Sequence, residues 1–192
     1  MQNRLALFVV GADGSGKTEI STRLSQITGI ERFKCPSEKE WFKTNSFHKN
    51  LAFDALLPSF CKQTNTSFIS DRGYPCEWVY STFYKRETDY VLLKNLDKMW
   101  SVNGGAILHM TRSDYSKVED DLVDTKDLKS IDNLYRDFLK QSLLPSMTVC
   151  TDDFVDDTSI NSWIKGSTNK VLDWLIKLDA YHGMLFAHEF YV

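Results

Sequence analysis

An α/β fold is what this 192-residue sequence predicts, a parallel sheet of about five strands flanked by helices in three layers. Three observations carry the expectation. Five short apolar runs alternate with segments whose apolar residues recur at helical spacing. The first run, "LALFVV", leads straight into a glycine-rich turn and then into a helical pattern. A composition that is 42% hydrophobic, with 12 Phe, 8 Tyr and 5 Trp, can bury a substantial core within one domain spanning residues 1–192.

The elements follow in order. Leu5 to Val10 is a continuous apolar run and reads as a buried strand, and Lys17 to Thr28 carries Ile20, Leu24 and Ile27 at helical spacing, with Gly29 placed to end the helix. Ile30 to Lys34 is a second strand. Phe47 to Gln63 is helical with an interruption expected near Pro58, and Ser67 to Ser70 is a brief strand ending on Asp71. From Pro75 to Trp100, Val79, Phe83, Leu92, Leu96 and Met99 fit one long helix or two broken near Thr88, and Pro75 suits a first helical turn. Gly104-Gly105 introduces the strand "AILHMT". Asp127 to Leu144 is amphipathic through Leu128, Ile131, Leu134, Tyr135, Phe138 and Leu139. Met147 to Cys150 is the last strand, and Ile160 to Leu178 is a helix weakened at Gly166 to Asn169.

Composition excludes several classes. The net charge of −3 arises from interspersed charges, with acidic clusters at Glu119 to Asp121, Asp152-Asp153 and Asp156-Asp157, so there is no electrostatic footprint for wrapping a nucleic-acid backbone. The first apolar run is too short for a signal peptide, and no stretch is long enough to span a membrane. Cys35, Cys61, Cys76 and Cys150 lack paired C-x-x-C spacing, which points away from a zinc site or disulfide framework and toward a reducing cytoplasm. His48, His109, His182 and His188 show no ligand spacing and read as structural or exposed.

The turn itself, "GADGSGKTE", carries chemistry. Gly11, Gly16, Lys17 and Thr18 satisfy G-x-x-x-x-G-K-[ST], with Asp13, Gly14 and Ser15 completing the loop. Glycines let backbone N–H groups turn inward around an anion, Lys17 can reach the terminal phosphates, and Thr18 presents a hydroxyl to Mg²⁺. The helix that starts there adds its positive end. The expected ligand is ATP with Mg²⁺. A second stretch, "FISDRGYPCEWVYS", sets Asp71 and Arg72 where a buried strand ends, and ligands bind at the carboxyl ends of strands in open parallel sheets. Asp71 can hold Mg²⁺ or its water shell, and Arg72 can clamp a phosphate.

These two motifs, with the helix-rich remainder to about Leu178, resemble the thymidylate kinase family, above all its compact bacteriophage members. The resemblance implies a P-loop kinase fold in which Asp13 faces the acceptor nucleotide and Arg72 its phosphate. It further implies an aromatic residue stacked on the acceptor base, for which Phe33 is the nearest match, and a lid over residues 112–124 carrying Arg112. Glu77 falls where a base-contacting polar residue belongs, Cys76 where serine is usual, and Tyr74 lies beyond Arg72 on the acceptor side. A homodimer is the family habit, with the helix from Pro75 as its face, and a phage origin would put the enzyme in the host cytoplasm.

The departures are as informative. "LAFDALLPSF" contains no arginine where the family commonly presents one, the lid is poor in cations, and Gly14 brings no charge to the loop. Lys17, Asp13, Arg72 and Arg112 are thus the expected catalytic set, and Phe33, Arg72, Tyr74 and Glu77 the expected substrate contacts. Three activities remain open at this level: phosphoryl transfer to a deoxynucleoside monophosphate such as dTMP or a 5-substituted dUMP; transfer to a hydroxyl of a deoxynucleoside or of 5-hydroxymethyluracil in DNA; and non-catalytic nucleotide binding. DNA is a partner only under the second. The aromatic residues at 78, 80, 83, 84 and 90 read as core, Arg32 and Lys34 as either solvated charges or phosphate contacts. The tail 179–192 reads as a cover for a core edge or a subunit contact.

Overall fold

A computed structural model describes residues 5–34, 47–118, 123–154 and 160–182. Residues 119–122 of the expected lid, most of the tail, Cys35 and His188 lie outside the described residues, as do the side chains of His48, Asp153 and His182.

The chain runs β1 (Ala6–Val10), α1 (Lys17–Thr28), β2 (Glu31–Lys34), α2 (Phe47–Thr64), β3 (Phe68–Asp71), α3 (Tyr74–Tyr84), α4 (Tyr90–Ser101), β4 (Gly105–Thr111), α5 (Thr125–Leu139), β5 (Ser146–Cys150), a 3₁₀ turn (Thr151–Phe154) and α6 (Ile160–His182). The five strands form one sheet in the order β2-β3-β1-β4-β5, and every pairing is parallel. Strand order reverses around β1, with β2 and β3 on one side and β4 and β5 on the other. That reversal opens a crevice above the strand ends, where Val9 is in register with Asp71 and Val10 with His109.

Both faces of the sheet are covered, as the apolar runs require. Ala6, Phe8 and Val10 point into one cluster with Phe68, Tyr74, Tyr80, Trp100 and Tyr135. Leu5, Leu7 and Val9 point into the other with Ile20, Leu24, Val171 and Leu175. The period of two along β1 thus splits one continuous hydrophobic run between a large aromatic core under α2 to α5 and a smaller aliphatic one under α1 and α6. Trp100 anchors the larger core, its ring edge-on to Phe8 at 5.4 Å and to Phe68 at 5.5 Å.

Of three expectations about helices, one is met by the second of its two alternatives and the other two are not met. The stretch Pro75 to Trp100 is two helices: α3 ends at Lys85 in the left-handed region (φ 53°), and α4 restarts where the Asp89 carboxylate accepts the Leu92 N–H at 2.9 Å. Helix α5 stops at Leu139 instead of running to Leu144. Asp97 supplies the reason, because its carboxylate takes the Ser142 hydroxyl at 2.6 Å and the Leu143 N–H at 2.7 Å and draws the chain away ahead of Pro145. Helix α6 passes unbroken through Gly166 to Asn169, where Thr168 donates its hydroxyl to the Ile164 carbonyl at 2.6 Å and is buried with Ser167.

Candidate functional site

The loop between β1 and α1 is built by its glycines. Gly11, Gly14 and Gly16 all sit at positive φ, 145°, 73° and 86°. Gly16 caps α1 in the left-handed conformation with no side-chain cap bond, so the positive end of the helix faces the loop. Lys17 folds back over it, donating to the Ala12 carbonyl at 2.6 Å with its ammonium 3.7 Å from Asp13 Oδ1. Burial and the nearby Arg72 charge hold the Lys17 ammonium below its ordinary pKa, although Asp13 pulls the other way.

Asp13 is the hub. Its Oδ1 accepts from the Arg72 guanidinium and its Oδ2 accepts the Tyr80 hydroxyl at 2.8 Å. Burial alone would raise this carboxyl, but the charges of Arg72 and Lys17 and the two hydrogen bonds outweigh it and hold it below the usual carboxylate range. Arg72 reaches this position from a strained backbone, φ 83° in a residue that is not glycine, with its N–H donating to Val9 O at 3.0 Å. Its guanidinium lies 6.0 Å from the centre of the Tyr80 ring.

Beside this hub, Thr18 donates its hydroxyl to Asp71 Oδ2 at 2.8 Å, and Arg32 donates to the same oxygen at 2.6 Å. Arg112 follows β4. Its backbone N–H donates to the Tyr115 hydroxyl at 3.1 Å, and its Nε lies 3.9 Å from Asp152 Oδ1. The Asp152 carboxylate also accepts the Ser113 N–H at 2.7 Å and hydroxyl at 2.6 Å, so it ties β5 to the start of the lid. A cleft of about 250 Å³ lies between these groups. Lys17, Lys34, Arg72 and Arg112 line it against the carboxylates of Asp13, Asp71 and Glu19. Four cations face three carboxylates, so the cleft carries an excess of positive charge.

The loop, Asp71, Arg72 and Arg112 are therefore brought together as the sequence suggested. Other expected contacts are not. Tyr74 turns into the core, donating to Asp97 Oδ1 at 2.8 Å with its ring edge-on to Phe8 at 5.4 Å, because Arg72 and Gly73 (φ 146°) swing the chain before α3 begins. Glu77 is buried and ion-paired with Arg86 at 3.3 Å. Phe33 stands at the end of β2, half-buried, 5.9 Å from Phe68. His109 is structural, fully buried with its Nε2 3.2 Å from Asp132 Oδ1. Burial lowers its pKa, against the pull of Asp132. Two residues take roles that the sequence did not assign them: Arg32, expected as a solvated charge or a phosphate contact, pairs with Asp71, and Tyr80, expected only as core, binds Asp13. Tyr80 follows Asp71 by nine positions, on the face of α3 that looks back at the loop.

The fold with this loop at its switch point defines a three-layer P-loop kinase architecture. Solved structures that share it include the YorR protein of Bacillus subtilis in complex with phosphorylated GDP, at 18% identity over 92% of this chain and 98% of that one, with a TM-score of 0.65. Thymidylate kinase from Ehrlichia chaffeensis matches at 16% identity, TM-score 0.57, over 90% of this chain and 99% of that one. Deoxyadenosine kinase from M. mycoides with bound dATP matches at 18% identity, TM-score 0.55, over 87% and 99%. No protein-family model and no curated protein sequence matches the chain. Among the described residues no helix is long and apolar enough to cross a membrane.

Proposed function

We propose that the chain is a kinase that transfers a phosphoryl group from Mg-ATP to a deoxynucleoside monophosphate, dTMP or a 5-substituted dUMP. The observation that carries this acceptor class is the state of Asp13. A hydroxyl acceptor needs a base to take its proton, whereas a phosphate acceptor brings its own ionised oxygen. Asp13 has a donor on each oxygen and is held ionised, which makes it a poor base, and Glu77 is committed to Arg86. Asp13 thus suits holding a nucleotide in place better than activating a hydroxyl, and Glu77 is not available for either task.

ATP phosphates would lie against Gly11 to Thr18, with Lys17 on the terminal groups. The donor set beside them fits Mg²⁺: Thr18 and Asp71 offer only oxygen, the ligand type that this hard cation takes alongside waters and phosphate oxygens. When bound, Mg²⁺ would neutralise charge on the phosphates. Arg72 holds the acceptor phosphate in line, and Lys17 and Arg112 stabilise the spreading charge. The start of the lid, which follows β4 from Arg112, would help to exclude water.

The test is transfer from γ-labelled ATP to a panel of deoxynucleoside monophosphates, deoxynucleosides, and duplex DNA containing 5-hydroxymethyluracil. Label on a monophosphate supports the reading. Label on a nucleoside or DNA replaces it with a hydroxyl kinase, a reading that the missing arginine of "LAFDALLPSF" in α2 favours. Tight nucleotide binding with no transfer leaves a non-catalytic module.

A further inference from the structure

Asp71 Oδ2 serves two donors at once, the Thr18 hydroxyl at 2.8 Å and the Arg32 guanidinium at 2.6 Å. Arg32 is held there from a second point. Its Nε donates to Ser21 Oγ at 2.7 Å, and Ser21 in turn donates to the Thr18 carbonyl at 3.1 Å, so the guanidinium bridges α1 and the end of β3. The side chains of Asp71 and Arg32 are 2% and 20% exposed. A carboxylate buried to that degree needs a compensating cation. Lys17 and Arg72 do not serve it directly, because both are engaged at Asp13.

With two donors on Oδ2, a metal approaching that oxygen must displace one of them, and a metal approaching Oδ1 still meets the Arg32 charge across the same carboxylate. Two cations sharing one buried carboxylate also repel each other strongly, since screening by water is weak there. We propose that Arg32 is a cationic lock on the metal position: it neutralises Asp71 while no metal is present and must give up that oxygen when Mg²⁺ arrives with nucleotide. The inference rests on the assignment of Thr18 and Asp71 as the metal-facing pair. Arg32 acts through Asp71 and is a positioning residue. Its exposed edge, on the edge strand β2, gives the guanidinium a route to solvent once displaced.

The experiment is Mn²⁺ binding followed by electron paramagnetic resonance, with and without ADP, in the wild type, Arg32→Met and Ser21→Ala. The lock predicts that Arg32→Met binds Mn²⁺ on the order of tenfold more tightly, the scale of losing one nearby like charge. Ser21→Ala should move the same way by less. Because Arg32→Met leaves Asp71 unpaired and can unfold the chain, a second readout uses the wild type alone: the Arg32 guanidinium NMR signals should shift with ADP plus Mg²⁺ and stay in place with ADP alone. Unchanged or weaker Mn²⁺ binding in a folded Arg32→Met overturns the lock while leaving the kinase reading intact, as do guanidinium signals that ignore Mg²⁺. A wild type that binds no Mn²⁺ even with ADP overturns both the lock and the metal assignment, whereas absence of transfer with normal Mn²⁺ binding overturns only the kinase reading.

Discussion

Val118 is packed onto Gly14. A Cβ built on Gly14 would collide with Val118 Cγ1 and lie 2.9 Å from Cγ2, and the position has φ 73°. The lid segment ahead of α5 is thus seated on the phosphate loop, held there by the Val118 N–H to Tyr115 carbonyl bond at 3.0 Å and the Thr125 hydroxyl to Val118 carbonyl bond at 2.9 Å. A side chain at position 14 would push against Val118 and displace the start of the lid.

Gly14→Ala should therefore lower nucleotide affinity tenfold or more and destabilise the fold by about 1–3 kcal/mol. Gly29→Ala is the control. Gly29 also has a positive φ, 68°, but a Cβ there meets nothing within 4 Å, so that variant should lose about 1 kcal/mol of stability and keep its ADP affinity. Calorimetric titration with ADP and thermal melts of both variants check the difference. Equal ADP affinities would mean that Val118 does not set the loop.

Lys17→Ala should reduce transfer by about 10³ or more with little change in melting temperature, because Lys17 makes its contacts within the loop and not in either hydrophobic cluster. Single-turnover transfer measured beside circular dichroism checks both halves. Full activity in a folded variant would remove the kinase mechanism.

How much of this was legible in the sequence depends on the distance between partners. The strand, loop and helix from Leu5 to Thr28 are local patterns, and their geometry follows from residues a few positions apart. Asp71 and Arg72 were legible because a strand end is itself a local signal. The partners of Tyr80 and Arg32 were not, since the residues they bind are 67 and 39 positions away. Tyr74 misled for the opposite reason. It is close to Arg72 in sequence, but positive φ at Arg72 and Gly73 turns the helix so that its first residue faces Phe8 and Asp97, a reversal that periodicity does not encode.

Asp54 gives a pH-dependent stability that no motif announced. It is buried in α2, with Oδ2 lacking a hydrogen-bond partner, and burial pushes its carboxyl up to about 7 from 3.8 despite a bond from the Tyr74 backbone. The folded state thus binds this proton more tightly than the unfolded one. Its contribution is fully present below about pH 3.8 and is lost as pH rises through about 7. The loss is on the order of 4 kcal/mol across that window. Denaturation at pH 5 and pH 8 should show Asp54→Asn gaining on the wild type at the higher value. A constant difference would mean that Asp54 is already ionised when folded.

Trp100→Ala should cost about 3–5 kcal/mol, since the indole is fully buried between Phe8 and Phe68 at the centre of the larger core. Urea unfolding checks the value. A loss below about 1 kcal/mol would mean that the aromatic cluster closes over the gap.

The last prediction concerns the acceptor. If Asp13 positions substrate instead of taking a proton, its ionisation should leave no mark on kcat/KM between pH 5 and pH 9, because Arg72, Lys17 and Tyr80 hold the carboxyl below its ordinary 3.8. A monophosphate acceptor has its own second ionisation near pH 6, so an acid limb should appear there and belong to the substrate. Asp13→Asn keeps the shape of the side chain but weakens its hold on Arg72. That variant should be slower by about 10²-fold while keeping the same acid limb. Tyr80→Phe, which removes one of the two donors to Asp13, should lose tenfold or less and again keep the limb. Disappearance of the limb in Asp13→Asn would instead make Asp13 the base, and would move the acceptor from phosphate to hydroxyl.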